Sequence, residues 1–464
     1  MNNPVLTAPQ AAPGVDMLRA VIAGEVHAPG DSGYDEARSA FNLALDLRPA
    51  VIVVADSAAD VVNAVRYAKE HGLRIAPQGT SHGAGPLGSL EDAILLKTTR
   101  MRGVEIYPAT RTARVEAGAD WQDVTVPAHE YGLAALAGSA PDVGVVGYTL
   151  GGGLGWLARR YGLSANSVVA VEIVTPDGRL VRADNHCEPD LFWAVCGGGG
   201  SVGVVTAIEI QLYPVREAYA GAFFFPLERA SEVLHAWREW TDTVPDEVTS
   251  VGRILQFPPI EEVPEPLRGN SFAVVEAAYL GDEFEGAELV RPIRELGPLM
   301  DTFAMIPAPA LQQLHMDPPE PVPYDGDGML LADAPRGAID AMVAAAGPGS
   351  NSPLLSVELR HLGGALAEGP ADAAQGRLTA KYGMFAVGMA ATPEMGEAVS
   401  SHIRVVKDTL APWGAEFNYY NFVESHAGAD EVLPSDSYRR LREVKAKYDP
   451  SEMIVSAHAV RPAR

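Results

Sequence analysis

The residues best suited to chemistry lie in one short segment, residues 74–85, which reads Arg-Ile-Ala-Pro-Gln-Gly-Thr-Ser-His-Gly-Ala-Gly. A strand-like run ends there in a loop with His82 near its tip. The small residues of this loop are Gly79, Thr80, Ser81, Gly83 and Gly85. The glycines permit positive φ and close backbone approach, so that successive N–H groups and the two hydroxyls can bind a diphosphate. A histidine placed in such a loop reaches the group attached to that diphosphate.

A second glycine-rich segment occupies residues 143–158. Within it, residues 153–158 read Gly-Leu-Gly-Trp-Leu-Ala and satisfy the pattern G-x-G-x-x-A, and Glu172 follows near the spacing of a ribose-binding acid. This pattern predicts, as one alternative, a nicotinamide-dependent oxidoreductase. Three features oppose that alternative. The motif lies in mid-chain, glycines interrupt the strand that should precede it, and a separate glycine loop already surrounds His82.

Regular elements predicted in the first half of the chain place His82 at the end of a strand. Residues 50–54 form a buried strand, Ser57 caps the following helix, and Gly72 ends it. Residues 73–77 form the next strand, and ligands usually bind beyond the carboxyl ends of strands in α/β sheets. Further strands are predicted at residues 93–97, 113–117, 168–174 and 180–183, the last two joined as a hairpin.

Composition limits the class of protein. The chain has 464 residues, of which 47% are hydrophobic, so we expect two domains rather than one core. The formal charge of −25 argues against nucleic acid and anionic membranes as partners, and no apolar run approaches the ~20 residues of a membrane span. Cys187 and Cys196 indicate neither a disulfide framework nor a metal site. Without a visible signal peptide, these features predict a cytoplasmic protein.

The pattern of predicted elements changes near residue 215. Proline-rich loops appear there between predicted strands, at residues 271–279 and 354–362, which indicates an inserted α+β domain. An amphipathic helix is predicted over residues 435–448, followed by a stop signal at Asp449-Pro450.

Several motifs in a fixed order resemble those of the berberine bridge enzyme family, within the vanillyl-alcohol oxidase superfamily. They are the His82 loop, residues 137–155, residues 190–194 and 197–200, residues 363–365, Tyr419-Tyr-Asn421, and residues 441–450. The resemblance implies an α+β fold with a PCMH-type FAD-binding domain of two subdomains. A substrate domain with an antiparallel sheet backed by helices would accompany it. The FAD-binding domain would comprise residues 1–214 and 408–464, and the substrate domain residues 215–407.

The same resemblance implies FAD bonded covalently through its 8α-methyl carbon to His82 alone. Many members add a second bond from a cysteine, but Ala140 stands at that position, and Cys196 is expected to be a small buried hydrophobic residue. The implied FAD contacts come from both glycine segments and two more distant positions. They are Gln78, Gly79, Thr80, Ser81, His82, Gly83, Pro86, Gly138, Ser139, Val143, Gly144, Gly147, Tyr148, Gly152, Gly153, Gly155, Val204 and Asn421.

On the substrate side, the resemblance implies four candidate catalytic residues, which are Tyr419, Tyr420, Arg360 and Tyr148. Phe422 stands where relatives often place a catalytic tyrosine, so the two preceding tyrosines are candidate bases, with one of them expected only to pack. Arg360 replaces a Glu or Tyr, and its permanent charge suits a carboxylate or an oxyanion. An ion pair with Glu358 on a solvated strand is an equal alternative. Tyr148 replaces a histidine near the flavin, where its hydroxyl either donates to reduced flavin or only packs.

The function implied by the resemblance is that of an FAD-dependent oxidase. A hydride would pass from a small organic alcohol or amine to flavin N5 and then to O2, with release of H2O2. Val143 resembles the oxidases at the position that admits O2. A catalytically silent flavin-binding protein is a further alternative, suggested by Phe422 and Arg360. The expected partners are a small-molecule substrate and O2, with no nucleic acid, membrane or metal, and the chain is expected to be a monomer or homodimer.

Overall fold

Three β-sheets organise the part of the chain that the computed structural model describes, which is residues 12–464 except Glu262, Pro264 and Ala371. The first sheet has the order β1-β2-β4-β3, in which β2, β4 and β3 are parallel and β1 is antiparallel to β2. Its strands are β1 Glu25–His27, β2 Val51–Val54, β3 Arg74–Gln78 and β4 Ala93–Lys97. All four residues of β2 are buried, as expected for a Val/Ile run covered on both faces.

The second sheet is antiparallel, with the order β5-β6-β9-β7-β8. Its strands are β5 Val104–Tyr107, β6 Thr112–Glu116, β7 Val168–Val174, β8 Leu180–Ala183 and β9 Val204–Gln211. The predicted hairpin of β7 and β8 is confirmed with the predicted bounds. The third sheet is antiparallel throughout and runs β13-β10-β12-β11-β16-β17-β15, with β14 beside β10. Its strands are β10 Glu217–Pro226, β11 Val248–Gln256, β12 Ser271–Tyr279, β13 Met300–Asp301, β14 Ala304–Pro307, β15 Tyr324–Leu331, β16 Ser356–His361 and β17 Tyr382–Met389.

Helices cover these sheets. The α-helices are α1 Val15–Val21, α2 Tyr34–Ala37, α3 Ala58–His71, α4 Trp121–Glu130, α5 Val145–Leu150, α6 Ala158–Tyr161, α7 Pro189–Val195, α8 Ala230–Thr241, α9 Glu283–Arg294, α10 Arg336–Ala346, α11 Ala365–Glu368, α12 Pro393–Leu410, α13 Ala429–Val432 and α14 Ser435–Tyr448. Short 3₁₀ helices occur at His82–Ala84, Ser164–Ser167, Leu227–Arg229, Ala308–Gln313, Ala411–Trp413 and Tyr420–Phe422. Within the described residues, no helix has both the length and the apolar character needed to cross a membrane.

The unit β2-α3-β3 follows the sequence prediction closely. The Ser57 hydroxyl accepts a hydrogen bond from the Asp60 N–H, which caps α3 at its first turn. Gly72 ends the helix with φ 67°, a left-handed conformation that glycine adopts without the cost of a side chain. The predicted α+β class is confirmed by this mixture of helices and largely antiparallel sheets.

The two faces of the third sheet have different partners. On one face, α8 packs so closely that a Cβ atom on Gly252 would lie 2.6 Å from the Trp237 ring. On the other face, Val251 packs in one hydrophobic cluster with Leu136 and Trp156, which belong to the N-terminal part of the chain. The face of the third sheet that carries Val251 therefore lies against the segment that contains the second glycine motif.

The C-terminal segment returns to the N-terminal half through a buried charge. The Lys445 ammonium group donates to the Ser201 carbonyl oxygen at 2.6 Å, to Asp449 Oδ2 at 2.6 Å and to the Ile454 carbonyl oxygen at 3.1 Å. Its three protons are thus satisfied although the side chain is only 2% exposed. Asp449 also accepts from the N–H groups of Met453 and Ile454. The domain boundaries at residues 214 and 407 stay predictions.

Replacement of Asp449 by alanine tests this connection. Because it leaves a buried ammonium ion without its carboxylate, we expect Asp449→Ala to lower the free energy of unfolding by about 3–5 kcal/mol, measured by urea denaturation. Asp436→Ala is the matched control, since Asp436 pairs with Arg439 on an exposed surface of the same helix. Its effect should stay within about 1 kcal/mol. Equal effects of the two substitutions would show that the buried pair does not hold the C-terminal segment in place.

Candidate active site

The loop that follows β3 turns at Ser81. This residue has φ 68°, and its hydroxyl donates to Gln78 Oε1 at 2.9 Å, which holds the turn in place. Gly79, Gly83 and Gly85, which permit positive φ, do not adopt it. Gly85 is instead required for close approach, because a Cβ atom there would lie 2.9 Å from the Glu424 carbonyl oxygen.

The His82 side chain is fixed on three sides. Its Nδ1 lies 2.8 Å from Thr80 Oγ1, its Nε2 lies 3.4 Å from Asp142 Oδ2, and its ring stacks on Phe41 with centroids 3.8 Å apart. Thr80 Oγ1 also accepts from the Gly144 N–H at 2.9 Å, so its own proton is free for Nδ1. This arrangement places the ring proton on Nε2, facing Asp142. Sequence reasoning did not identify Asp142 or Phe41, because neither belongs to the loop motif.

The second glycine segment surrounds Tyr148, which lies on α5. Cβ atoms on Gly138, Gly153 and Gly155 would lie 2.9, 2.5 and 3.3 Å from atoms of the Tyr148 side chain. These three glycines, predicted to contact a cofactor, therefore make room for a tyrosine ring. A Cβ atom on Gly152 would similarly lie 2.9 Å from the Tyr419 ring.

The structure around the G-x-G-x-x-A motif does not fit the nicotinamide alternative. The G-x-G-x-x-A motif follows the helix α5 instead of a strand, and it leads into α6, which has only four residues. Glu172, the candidate ribose ligand, lies on β7 and binds the Arg114 guanidinium through both oxygens at 2.8 Å. A dinucleotide fingerprint requires a strand, a tight loop and a longer helix in that order.

The two adjacent tyrosines have different environments. The Tyr420 hydroxyl accepts from the His458 N–H at 3.3 Å, and its ring meets the His458 ring edge-on at 4.5 Å. These contacts tie Tyr420 to the C-terminal segment, and burial raises its pKa to about 12. Tyr419 is 1% exposed and lies edge-on against Phe422, with ring centroids 5.1 Å apart. Burial raises the pKa of Tyr419 further, although the charge of Arg360 opposes that rise.

Other predicted contact residues occupy structural positions. Asn421 Nδ2 donates to the Tyr148 carbonyl oxygen at 2.9 Å, and the Pro86 carbonyl oxygen lies 3.1 Å from His426 Nδ1. The Ser139 hydroxyl donates to Asp317 Oδ2 at 2.9 Å. Val204, which the resemblance gives as an FAD contact, lies in the hydrophobic core at the start of β9. Its side chain packs against other core residues. Gly147 is exposed on α5, and Val143 packs against the core of the second sheet.

Several buried polar atoms near the His82 loop and the second glycine segment have no hydrogen-bond partner among the described residues. They are Gln78 Nε2, Asp142 Oδ1, the Tyr148 and Tyr419 hydroxyl oxygens, and both amide atoms of Gln375. A Cβ atom on Gly152 would lie 3.2 Å from the Tyr419 hydroxyl and 3.0 Å from Gln375 Oε1, so these two groups are neighbours. Because nearly all buried polar groups are hydrogen-bonded, these unpaired ones are available to a polar ligand. Gln375 belongs to no motif, and no signal in the sequence identifies it.

Arg360 lies on β16 above a buried carboxylate. Its Nε donates to Glu358 Oε1 at 2.6 Å, so the predicted ion pair is present. The prediction of a solvated strand is wrong, because the side chains of Glu358 and Arg360 are only 2% and 16% exposed. The N-terminal part of the chain covers this face of the sheet. Glu358 stays ionised, since Arg360 and His315 lower its pKa against the effect of burial.

Three further residues complete a buried ion cluster with Glu358 and Arg360. His315 Nδ1 lies 2.6 Å from Glu276 Oε2, and its Nε2 lies 2.7 Å from Glu358 Oε2. Arg253 donates to Glu276 at 2.5 Å and to the His315 carbonyl oxygen at 2.9 Å. Burial and Arg253 oppose a charge on His315, but the two carboxylates outweigh them and raise its pKa to about 9. Arg253 and Glu276 are charged residues within otherwise apolar strands, and this pattern in the sequence could have identified them.

Comparison with known proteins identifies the N-terminal region. Residues 49–184 match the FAD binding domain family. Among curated relatives, an uncharacterised FAD-linked oxidoreductase of Bacillus subtilis is 29% identical over 61% of this chain and 61% of its own length. An (R)-6-hydroxynicotine oxidase of Paenarthrobacter nicotinovorans is 36% identical over 43% of this chain and 44% of its own length. The matches thus span less than two thirds of either relative.

Solved structures extend the likeness to nearly the whole chain. A 6-hydroxy-D-nicotine oxidase from Arthrobacter nicotinovorans has a TM-score of 0.83 and 25% identity, covering 95% of this chain and 98% of its own. The chain thus contains a segment similar to FAD binding domains, and over nearly its whole length it is similar to this oxidase. A berberine bridge enzyme-like protein of Physcomitrella patens, 21% identical, shares the fold with a TM-score of 0.84 and coverage of 97% and 99%.

The residues around the His82 loop fit FAD. Unpaired amide and hydroxyl groups at Gln78, Tyr148 and Gln375 offer donors and acceptors that the polar edge of a flavin requires. A side chain at Gly85 or Gly152 would clash with neighbouring atoms, so the chain packs closely beside His82 and Tyr419. Cys196 packs in the hydrophobic core, as predicted, and Cys187 is exposed.

His315 predicts a pH dependence of stability. A histidine whose pKa rises from about 6.5 to about 9 on folding stabilises the protein fully below pH 6.5. This stabilisation is lost as the pH rises through 9, and it amounts to about 3 kcal/mol at most. We therefore expect the difference in unfolding free energy between wild type and His315→Gln to shrink between pH 6 and pH 10, measured by urea denaturation at each pH. Other titrating groups, such as Glu424, act equally in both proteins. A constant difference would mean that His315 is neutral in the folded state.

Proposed function

We propose that this protein is an FAD-dependent oxidase that holds FAD covalently through His82 and oxidises a small organic alcohol or amine. The observation that carries the proposal is the group of unpaired buried polar atoms beside the His82 loop and the second glycine segment. The name of the 6-hydroxynicotine oxidase relative supports the reaction type. Gln375 and the Tyr148 hydroxyl would bind the flavin, and Tyr419 would face the substrate.

FAD, when bound, supplies the redox chemistry: it takes a hydride from a substrate carbon and passes two electrons to O2. The substrate loses this hydride and one proton from its hydroxyl or amine, a C=O or C=N bond forms, and O2 is reduced to H2O2. Tyr419 accepts a hydrogen bond from the substrate hydroxyl or amine and orients it. With its raised pKa, Tyr419 is protonated at neutral pH, so its first role is orientation. Phe422 contributes packing against Tyr419 and no proton transfer.

Attachment of FAD depends on how His82 is held. Thr80 would orient the ring through Nδ1, and Asp142, which faces Nε2, would take up the imidazole proton when FAD is attached. Phe41 prevents rotation of the ring through stacking. Asp142 is therefore a positioning residue in this proposal.

Replacement of His82 tests the covalent bond. After acid precipitation, we expect wild-type protein to stay yellow and His82→Ala to release its flavin into the supernatant, with intact masses that differ by one FAD. Asp142→Ala should reduce the covalent fraction and leave non-covalent binding. His426→Ala is the matched control, because His426 contacts Pro86 of the same loop and should keep a full covalent fraction. A flavin peptide that contains Cys187 or Cys196 would contradict attachment through His82 alone.

Val143 tests the use of O2. If this valine leaves a path to the flavin, Val143→Ile should slow reoxidation of the substrate-reduced enzyme in air at least several-fold, measured by stopped-flow absorbance. Anaerobic reduction by substrate should change little, because the added methylene does not touch the substrate. Val126→Ile is the control, since Val126 is 56% exposed on α4. Equal reoxidation rates would remove Val143 from the oxygen path, and a protein that no substrate reduces would favour the silent flavin carrier.

A further inference from the structure

The ion cluster beneath Arg360 carries more positive than negative charge. It consists of Arg253, Glu276, His315, Glu358 and Arg360, all buried or nearly so. Both arginines are permanently protonated. His315 Nδ1 lies 2.6 Å from Glu276 and its Nε2 lies 2.7 Å from Glu358, nearer than the two guanidinium nitrogens at 3.2 and 3.3 Å from Nε2, so both ring nitrogens donate to carboxylates. Three cations therefore meet two anions. Outside these five residues, Asp317 is a further carboxylate near the cluster. It is exposed to water, which screens its charge.

The unmatched charge is presented by Arg360. Its Nε binds Glu358, while its Nη1 has no hydrogen-bond partner among the described residues. The guanidinium carbon lies 5.3 Å from the centroid of the Phe422 ring, which holds the planar group from one side. Beneath it, His315 is held by the backbone of Met316, which adopts φ 60°, a conformation that residues other than glycine rarely take. Strain of this kind persists where the surrounding contacts fix a functional geometry.

The wall beside Arg360 is mostly apolar. A crevice between the third sheet and the second glycine segment is lined by Arg360, by apolar side chains such as Leu154, Trp156 and Val251, and by only two hydroxyl side chains, those of Ser139 and Thr249. His361 also lines it, but burial lowers its pKa to about 3, so it adds no charge. One cation on an apolar wall suits an organic anion with a hydrophobic body. A sugar would instead require many hydrogen-bonding side chains.

We propose that the substrate carries a carboxylate, which Arg360 binds while the apolar wall holds the rest of the molecule. This inference rests on the proposed function and names the class of its substrate. Glu276, His315 and Arg253 are positioning residues, because they hold Glu358 and through it the guanidinium plane. Tyr419, whose pKa the charge of Arg360 affects, would then face the carbon that is oxidised.

The test is a calorimetric titration of the flavin-loaded protein with benzoate and with benzyl alcohol, its neutral counterpart. We expect benzoate to bind wild type at least tenfold more tightly, because a charge-assisted contact contributes about 1.5–3 kcal/mol, or one to two powers of ten. Arg360→Met should remove this preference. The substitution leaves two cations against two anions, so the cluster stays balanced and Glu358 keeps His315 as its partner. Arg360→Lys keeps the positive charge but loses the two parallel N–H donors of the guanidinium group. It should therefore retain part of the preference that Arg360→Met removes.

Arg114→Met is the matched control, because Arg114 forms a similar partly buried pair with Glu172 on the second sheet and should leave benzoate affinity unchanged. Equal affinity of wild type for the two ligands, absence of benzoate binding, or unchanged benzoate affinity in Arg360→Met would each overturn the proposal. If Arg360→Met fails to fold, undiminished benzoate affinity in Arg360→Lys overturns it as well. The titration involves no turnover. A protein that binds benzoate through Arg360 but releases no peroxide would contradict the proposed oxidase function and not this inference.

Discussion

Moving a charged or hydrogen-bonding side chain out of water costs free energy that only a partner inside the protein offsets. This protein meets that constraint at Lys445, where three acceptors surround the ammonium group, and at His315, where two carboxylates hold the ring. The unpaired groups are therefore informative. Among them, Tyr419 and Gln375 approach the same position beside Gly152, and Tyr148 lies beside the adjacent Gly153. The same rule that explains the core thus indicates where a ligand binds.

Local sequence features were sufficient where local energetics decide the structure. The strand Ala93–Lys97, the hairpin of residues 168–183 and the helix Ser435–Tyr448 have the predicted bounds, because hydrophobic periodicity and turn residues determine them. The position of His82 after β3 follows from the same reasoning. At the turn itself, Ser81 has the positive φ although three nearby glycines permit it, and the Ser81 hydroxyl bonds to Gln78. A side-chain contact of this kind is not encoded in residue type alone.

Tertiary packing decided what the sequence left open. Alternation along β16 correctly places Glu358 and Arg360 on one face, but only the fold determines that the N-terminal part covers that face. His315 reaches Glu276 and Glu358 from a loop far along the chain, so no spacing rule predicts the cluster. Tyr419 and Tyr420 are adjacent, and their sequence contexts are nearly the same. Their roles differ because His458, close to the C-terminus, engages only Tyr420.

One connected set of contacts joins the two ends of the site. The Thr80 hydroxyl bonds to both His82 and the Gly144 N–H, and Gly144 begins the helix that carries Tyr148. The Tyr148 carbonyl oxygen accepts from Asn421, which lies two residues beyond Tyr419. Because Tyr420, between them, is fixed by His458, Tyr419 has little freedom to move towards or away from Arg360. The distance between the His82 loop and Arg360 is thus set by rigid elements, a condition that an active site for hydride transfer requires.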